Sequence, residues 1–256
     1  MNHTIQEISA LTQRWFLHLS REPVHVMFAL IQPLLWFALF GNIFSRVARG
    51  SQFGNVSYLT FMAASALSLT VVGNSLMGGI PLLMDREQGF LNKLMTAPIS
   101  RNSILLSRFI FVNTLNWIQM TIILLVALLM GVRAAAGIPG ILVLYLLGGL
   151  LGIGITLISL ALAFLLHSHG EFFAIVGFIN LPLVFISSAL IPITLMPPWL
   201  AWMARINPLT YAIDGMRSMI VPGWQAQPIW LIVSALAIFD ALCFAWASGV
   251  YRRNLS

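Results

Sequence analysis

The stretch SSALIPITLMPPWLAWMARINPLTYAIDGMRSMIVP, residues 187–222, combines frequent prolines with an apolar composition. Proline removes a backbone hydrogen-bond donor and interrupts a helix, so one continuous helix cannot run through these residues. The apolar side chains argue equally against an ordinary solvated loop. Irregular backbone is tolerated at membrane depth only where protein or a water-lined cavity satisfies its polar groups. This proline-rich segment therefore predicts a pair of short helices that dip into one face of a membrane.

The whole chain has the composition of a membrane protein. Of its 256 residues, 59% are hydrophobic and only 8% are charged, and the mean hydropathy is +0.94. Soluble domains carry about 25% charged residues. The net charge of +6 comes from basic residues scattered among apolar runs, a distribution that fits membrane topology and not a nucleic-acid-binding face. The composition predicts an all-α polytopic membrane protein.

Six apolar stretches are long enough to cross a bilayer, which takes about 20 residues. They lie near 24–44, 57–84, 106–131, 140–166, 172–193 and 228–250. Gly73, Gly78, Gly79 and Pro81 predict that the second stretch bends or ends early. If both termini are inside, the inner segments carry eight Lys and Arg residues and the outer segments five. The positive-inside rule therefore predicts cytoplasmic termini, with the interrupted segment 194–227 on the outer face.

Residues 1–22 have the pattern of an amphipathic helix. Apolar residues recur at steps of three and four, and polar residues occupy the other faces. The apolar positions are Ile5, Ile8, Leu11, Trp15 and Leu19. The pattern predicts an interfacial helix that lies among the lipid headgroups, with Trp15 and Arg21 as anchors. A frayed polar tail is the alternative.

The segment 85–108, here called the charged loop, holds six of the twenty charged residues. Leu91, Leu94 and Met95 are spaced to form one side of a short helix, which Pro98 ends because the residue before proline avoids the helical region. An apolar stripe between charged flanks indicates a docking helix for a cytoplasmic partner. A connector that packs on the headgroups is the alternative.

The segment HSHGEF, residues 167–172, is here called the histidine loop. His167, His169 and Glu171 are residue types that bind metals, but three of them within one turn are a weak signal. We predict a solvated turn that faces a partner, and no metal site.

Several motifs of catalysis and energy conversion are missing from the sequence. It has no phosphate-binding loop of the G-x-x-x-x-G-K-[ST] form, so ATP would have to be hydrolysed by another subunit. Asp240 is the one acid within a predicted span, which is little for a proton relay. Asn113, Asn116 and Gln119 form a polar stripe that either bonds neighbouring helices or lines a path for substrate.

These features resemble the permease subunit of a type-2 ABC transporter over essentially the whole chain. The most specific match is the proline-rich segment, which resembles the daunorubicin-type drug-efflux permeases and, less closely, the nodulation-factor and polysaccharide export permeases. It contains Ser187 to Pro192, then Met196-Pro197-Pro198-Trp199-Leu200, then Asn207-Pro208-Leu209-Thr210-Tyr211, with Asp214 and Arg217. In the charged loop, Arg86-Glu87-x-Gly89 resembles the start of the family's coupling helix, although Phe90 stands where the family often has threonine.

The resemblance implies a single permease domain over 1–256, with an interfacial helix at 1–22, a cytoplasmic coupling helix at 85–104 and an outer re-entrant segment at 194–227. Coupling to the ATPase would involve Arg86, Glu87, Gly89, Leu91, Leu94, Pro98 and Arg101, with His167, His169 and Glu171 in the second inner loop. The outer gate would consist of Pro192, Pro197, Pro198, Trp199, Asn207, Pro208, Tyr211 and Arg217. Asn113, Asn116 and Gln119 are candidates for lining the path.

The resemblance also implies a non-catalytic half-transporter in the inner (cell) membrane. It would pair with a second permease copy, bind two ATP-binding subunits and contact membrane lipid. No cofactor is expected in this chain, because the partner subunit would hold MgATP. The implied function is ATP-driven export of an amphipathic drug-like or lipid-like substrate. Export of polysaccharide or lipo-oligosaccharide is an alternative within the family.

Two other classes of protein fit the sequence less well. An ion-coupled secondary transporter would show an internal repeat and several buried acids, whereas only Asp240 qualifies. An intramembrane enzyme would need acids, histidines or a metal triad clustered at one depth, and no such cluster is visible in the sequence.

Overall fold

The fold is helical in every part of the chain that the computed structural model describes, which is residues 2–21, 23–44, 56–89, 101–224 and 227–255. The α-helices are α1 (Asn2–Arg21), α2 (Pro23–Ile43), α3 (Tyr58–Met77), α4 (Ile80–Glu87), α5 (Arg101–Leu129), α6 (Gly137–Leu165), α7 (His169–Phe185), α8 (Pro198–Ile206), α9 (Pro208–Ile220) and α10 (Ile229–Leu255). A short 3₁₀ turn, Ile193–Leu195, precedes α8.

Four helical stretches within the described residues are long and apolar enough to cross a bilayer. They are Tyr58–Glu87, Ser103–Leu129, Gly137–Leu165 and Ile229–Tyr251. Leu30–Ile43 and His169–Phe185 are apolar but shorter. The predicted all-α polytopic membrane protein is thus confirmed, and four of the six predicted spans have the required length. The other two spans stay a prediction.

Helix α3 forms the core of the described structure. It packs against α2, α5, α6, α7 and α9, and most of its side chains are buried. Its 20 residues span about 30 Å at 1.5 Å per residue, which is the thickness of a bilayer's hydrocarbon core. Side chains at the two ends of α3 are therefore far enough apart to lie at opposite faces of a membrane.

The limits of two predicted spans differ from those of the helices. Helix α3 ends at Met77, where a turn at Gly78 and Gly79 separates it from α4, so the predicted break is confirmed there. Gly73 lies within α3 and does not end the helix. The fifth stretch was expected to continue to residue 193, but α7 ends at Phe185. The chain then turns. The Asn207 side chain donates hydrogen bonds to carbonyl oxygens at the end of α7, which a continuing helix would pair with its own N–H groups.

Helix α1 confirms the predicted amphipathic helix, but its apolar face packs against protein. Leu11 and Trp15 are 9% and 8% exposed, and the Trp15 and Phe111 ring centroids lie 6.4 Å apart. The expectation that Trp15 anchors α1 among the headgroups is therefore wrong. The ring instead contacts the first turns of α5, while Ile5 at the other end of α1 is exposed.

Candidate functional site: two polar networks and a cleft along α3

The charged loop and the histidine loop meet at one end of the molecule. Nδ1 of His169 lies 2.6 Å from Oε2 of Glu87, and both side chains are about one-third exposed. Nη1 of Arg86 donates to the carbonyl oxygens of Phe164 and Leu166 at 3.1 and 3.2 Å. These carbonyls lie at the end of α6, where a helix has unpaired acceptors and a partial negative charge. Arg86, Glu87 and His169 form what we call the loop junction.

The other histidine-loop residues set the start of α7. Ser168 accepts a hydrogen bond from the backbone N–H of Glu171 at 3.3 Å, and the Glu171 carboxylate accepts one from the N–H of His167 at 3.0 Å. The pair resembles a capping box, with the Glu171 carboxylate bonded to the N–H one residue before the N-cap Ser168, and it satisfies backbone donors at the helix start. Glu171 thus has a structural role in the loop, while His167 is exposed.

The remaining predicted coupling residues divide into two groups. Gly89 follows α4 with a φ of +69°, a left-handed conformation that glycine adopts without strain. Arg101 is the first residue of α5. Leu91, Leu94 and Pro98 lie outside the described residues.

Helix α1 is tied to the same end of the molecule. Nη2 of Arg14 lies 3.0 Å from Oδ1 of Asp85, the residue that opens the charged loop. The Ser103 hydroxyl donates to the Glu7 carboxylate at 2.8 Å. Both contacts join residues more than 70 positions apart. Any displacement of the charged loop therefore acts directly on α1.

The break between α3 and α4 is satisfied by side chains from two other helices. The N–H of Gly79 donates to Ser159 Oγ at 2.8 Å, and that hydroxyl donates to the Leu76 carbonyl at 2.5 Å. Nε of Arg108 donates to the Gly78 carbonyl at 2.8 Å. A Cβ at position 79 would collide with the Ser159 backbone, so glycine is required there. These bonds supply hydrogen-bond partners to the backbone groups that the interruption of the span would otherwise leave unpaired.

Arg217 organises the network at the other end of α3. Its guanidinium is fully buried, and its Nε donates to the Phe61 carbonyl at 3.4 Å. Nη2 donates to Ser65 Oγ at 2.8 Å and to the Ala189 carbonyl at 3.1 Å, and Nη1 donates to Asp214 at 3.2 Å. Its carbon lies 3.6 Å from the Phe61 ring centroid, a cation–π contact. One side chain thus joins the proline-rich segment to the first turns of α3.

Burial sets the electrostatics of this ion pair. It raises the pKa of Asp214, while the Arg217 charge and the hydrogen bonds from Ser188 and Arg217 oppose that rise. Burial also lowers the pKa of Arg217 to about 10, with the Asp214 charge acting in the opposite direction. The guanidinium therefore stays charged at neutral pH. A buried charge is unfavourable unless it is paired and hydrogen-bonded, so the contacts with its neighbours stabilise it.

Asn207 explains why asparagine precedes proline in this segment. Its Oδ1 accepts from the N–H of Leu209 at 2.9 Å and so caps α9, while Pro208 occupies the first helical position. Its Nδ2 donates to the carbonyl oxygens of Leu183 and Ile186 at 2.8 and 2.6 Å. A single amide thus ends α7 and begins α9.

The other residues of the predicted outer gate lie in α8, in α9 and just before them. Pro192 precedes the 3₁₀ turn, and Pro197 and Pro198 begin α8. Trp199 is 66% exposed, and Tyr211 is half-buried. The segment thus forms two short helices, α8 and α9, that meet at Asn207.

The polar stripe on α5 faces α3 and α6. Asn116 Nδ2 donates to Ser75 Oγ at 2.9 Å, and Asn74 donates to the side-chain oxygen of Gln119. A Cβ at Gly152 would lie 2.9 and 2.8 Å from the amides of Asn113 and Asn116, so glycine there makes room for them. Asn116 and Gln119 therefore bond the neighbouring helix α3, while Asn113 donates to the Phe109 carbonyl of its own helix. A role for the stripe in lining a path stays a prediction.

A cleft of about 290 Å³ opens between α2, α3 and α7. Its polar walls are Gln32, Thr70, Asn74 and Asn180, and its apolar walls include Trp36, Leu181 and Phe185. Among the described residues that line it, none is charged.

The sequence did not predict which residues contact Arg217 or which residue supports the break between α3 and α4. Ser65 and Phe61 of α3 bind Arg217 across more than 150 positions, and Ser159 supports the α3–α4 break across 80. No local pattern points to such contacts. One local signal was available, since Ser168-x-x-Glu171 is a capping-box pattern that marks the start of α7.

The fold and these networks define a multi-pass helical membrane protein with polar contacts at both ends of a central span. Comparison with known proteins extends this assignment. The model of the family described as "ABC-2 type transporter" matches residues 6–221. The chain belongs to this family, whose members are membrane subunits of ABC transporters and typically work with an ATP-binding subunit.

Three relatives illustrate the range of the family. The "putative transport permease ycf38" of Porphyra purpurea is 38% identical, with 98% of this chain and 91% of the relative aligned. The "probable doxorubicin resistance ABC transporter permease protein DrrC" of Mycobacterium tuberculosis (strain CDC 1551 / Oshkosh) is 25% identical over 98% of this chain and 88% of its own. The "probable multidrug ABC transporter permease YbhR" of Escherichia coli (strain K12) is 21% identical over 78% of this chain and 54% of its own. The chain is accordingly a transport permease of this family.

Proposed function

We propose that the chain is the membrane subunit of an ATP-driven exporter for an amphipathic, drug-like or lipid-like substrate. The observation that carries the proposal is the position of two polar networks at opposite ends of α3, whose length matches the hydrocarbon core of a bilayer. On one side of the membrane, the loop junction would receive the movement of the ATP-binding subunit. On the other side, the Arg217 network would hold the proline-rich segment as the outer gate.

The proposed topology has six spans and cytoplasmic termini in the inner (cell) membrane. The short apolar helices α2 and α7 complete the six. The charged and histidine loops then face the cytoplasm, where the excess of basic residues supports this orientation. The proline-rich segment lies on the outer face as a re-entrant pair of helices.

Coupling would begin at residues 85–104, where a separate ATP-binding subunit docks and holds MgATP. The Glu87–His169 contact and the Arg86 bonds to the end of α6 would pass the movement to α6 and α7. The Arg14–Asp85 pair would pass it to α1. Each of these groups lies within one hydrogen bond of the charged loop.

The path would run through a dimer of two copies of this chain. Helix α7 buries only Phe172 and Val176 and leaves large apolar side chains exposed. These are Phe173, Phe178, Leu181 and Phe185. In a dimer, a second copy facing α7 would close the cleft between α2, α3 and α7 into a path, and each copy would bind one ATP-binding subunit.

The walls of that cleft support an amphipathic cargo. The lining combines amide and hydroxyl groups with apolar side chains, and none of the described lining residues is charged, so an uncharged molecule could enter without desolvating a charged group. The names of two relatives, a probable doxorubicin resistance permease and a probable multidrug permease, support a drug-like cargo. Polysaccharide or lipo-oligosaccharide remains the alternative outcome of a substrate screen.

Purification from native membranes tests the assignment of the motor to another chain. A tagged copy of the full chain is solubilised gently and its associated proteins are identified by mass spectrometry. We expect an ATP-binding subunit in equimolar amount. A preparation that contains only this chain, and that moves substrate into vesicles on an ion gradient alone, would contradict the proposal.

A further inference from the structure

A second cleft, of about 460 Å³, lies between α1, the α3–α4 break and α5, and we name it the α1 cleft. It is separate from the loop junction and differs in character from the cleft between α2, α3 and α7, since charged side chains line it. They are Arg14, Asp85 and Arg108, with His18 at the rim. We propose that the α1 cleft binds the anionic headgroup of a phospholipid from the leaflet in which α1 lies.

Arg108 is the main recognition group. It is 5% exposed, and within the described part of the chain only its Nε donates a hydrogen bond, to the Gly78 carbonyl. The guanidinium carbon lies 4.5 Å from the ring centroid of Trp15 and 5.0 Å from that of Phe111. The two rings fix the plane of the guanidinium while its Nη donors remain for a ligand. A held guanidinium that lines a cleft suits phosphate, which arginine binds through two parallel hydrogen bonds.

The balance of charge also favours an anion. Arg14 and Arg108 contribute two positive charges, and Asp85 removes one. A zwitterionic headgroup would gain little from this excess, whereas a headgroup with a net negative charge would be attracted. Basic residues at a membrane surface contribute about 1 kcal/mol each to such attraction.

The depth of the cleft fits a molecule with an acyl chain. Its lining continues along α5 from Arg108 past Phe111 and Leu115 to Gln119. Eleven residues of helix cover about 16 Å, roughly half of the hydrocarbon core. Met77 and Met84 also line the cleft and are 37% and 41% exposed. The charged end of the cleft matches a lipid headgroup, and an apolar wall of this length matches the upper part of the acyl chain. A free anion would contact only the charged end.

Native mass spectrometry of the purified full chain tests the proposal without any transport assay, so its outcome is independent of the proposed function. The protein in detergent receives phosphatidylglycerol or phosphatidylcholine at equal concentrations, and bound lipid is counted. We expect phosphatidylglycerol to be retained preferentially. Equal retention of the two lipids would overturn the proposal.

Two pairs of variants locate the binding. Arg108→Gln should lower phosphatidylglycerol binding about tenfold or more, while Arg133→Gln, at an exposed arginine outside the cleft, should leave it unchanged. If Arg108→Gln does not fold, His18→Glu decides the question. It adds a negative charge at the rim and should weaken binding about fivefold, since 1.4 kcal/mol corresponds to a factor of ten. Gln13→Glu adds the same charge to an exposed position of α1 outside this cleft and should have no effect.

Inorganic phosphate distinguishes a lipid from a soluble anion. At millimolar concentration it should displace little phosphatidylglycerol, because it lacks the apolar chain. Complete displacement by phosphate, or equal effects of His18→Glu and Gln13→Glu, would contradict a lipid site.

Discussion

His169 and Glu87 join the two loops at one end of the molecule, with Nδ1 of the imidazole 2.6 Å from Oε2 of the carboxylate. The residues are 82 positions apart, and Glu87 lies in the predicted coupling segment (85–104) while His169 begins α7. A displacement of the charged loop therefore has a direct contact through which to move α7. The same α7 walls the cleft between α2, α3 and α7.

The first prediction concerns this contact. Glu87→Gln and His169→Ala should each lower ATP-stimulated transport, and the double variant should be no worse than the more damaging single one, because both remove the same interaction. Membrane insertion should be unchanged. The control is His167→Ala, an exposed histidine in the same loop, whose effect should add to that of Glu87→Gln. Full transport in Glu87→Gln would contradict a coupling role for the contact.

The second prediction concerns the buried guanidinium of Arg217. Arg217→Ala removes these hydrogen bonds and ring contacts and leaves Asp214 half-buried without its counter-charge, so we expect a loss of about 3 kcal/mol or more in unfolding free energy. Arg217→Lys should recover only part of it, since an ammonium cannot reach all the partners of the planar group. Thermal unfolding in detergent measures both. Arg205→Ala, at an exposed arginine in α8, should change stability by no more than about 0.5 kcal/mol.

The third prediction concerns the break between α3 and α4. Gly79→Ala places a methyl group against the Ser159 backbone and should cost about 1–3 kcal/mol. Gly73→Ala is the matched control, because a Cβ there meets nothing within 4 Å and alanine favours a helix by about 0.5–1 kcal/mol over glycine. Opposite signs for the two variants in a denaturation series are expected. A neutral Gly79→Ala would mean that the close approach to α6 is absent.

The fourth prediction separates the two roles of Asn207. Asn207→Ser keeps an acceptor that can cap α9 but loses the donor for the Leu183 and Ile186 carbonyls. Asn207→Asp also keeps the acceptor and adds a charge that faces those carbonyl oxygens. We therefore expect Asn207→Asp to be less stable than Asn207→Ser, and both to be less stable than the unaltered protein. Equal melting temperatures for Asn207→Asp and the unaltered protein would rule out the contact with the end of α7.

Local patterns predicted much of the fold. The recurrence of apolar residues at steps of three and four predicted α1, and Gly78, Gly79 and Pro81 predicted the end of α3. The prolines of 187–222 predicted a pair of short helices, and Pro198 and Pro208 are the first residues of α8 and α9, because proline fits the first helical turn. Each of these features depends on residues that are close in sequence.

The sites could be predicted only in outline, since their contacts join distant positions. Arg217 stood out in the sequence, but its bonds to Ser65 and Ala189 cross 152 and 28 positions. Trp15 matched an interfacial anchor by its position in α1, yet it packs beneath Arg108 of α5. Periodicity identifies an apolar face but not whether protein or lipid covers it.

The central claim is that ATP hydrolysed by a partner subunit drives substrate through this chain. Transport of a fluorescent amphipathic compound into inverted vesicles tests it most directly, with the full chain and its co-purified ATP-binding subunit. We predict uptake that requires hydrolysable ATP and persists when ion gradients are collapsed. Uptake that is indifferent to ATP and disappears with the ion gradient would contradict the account.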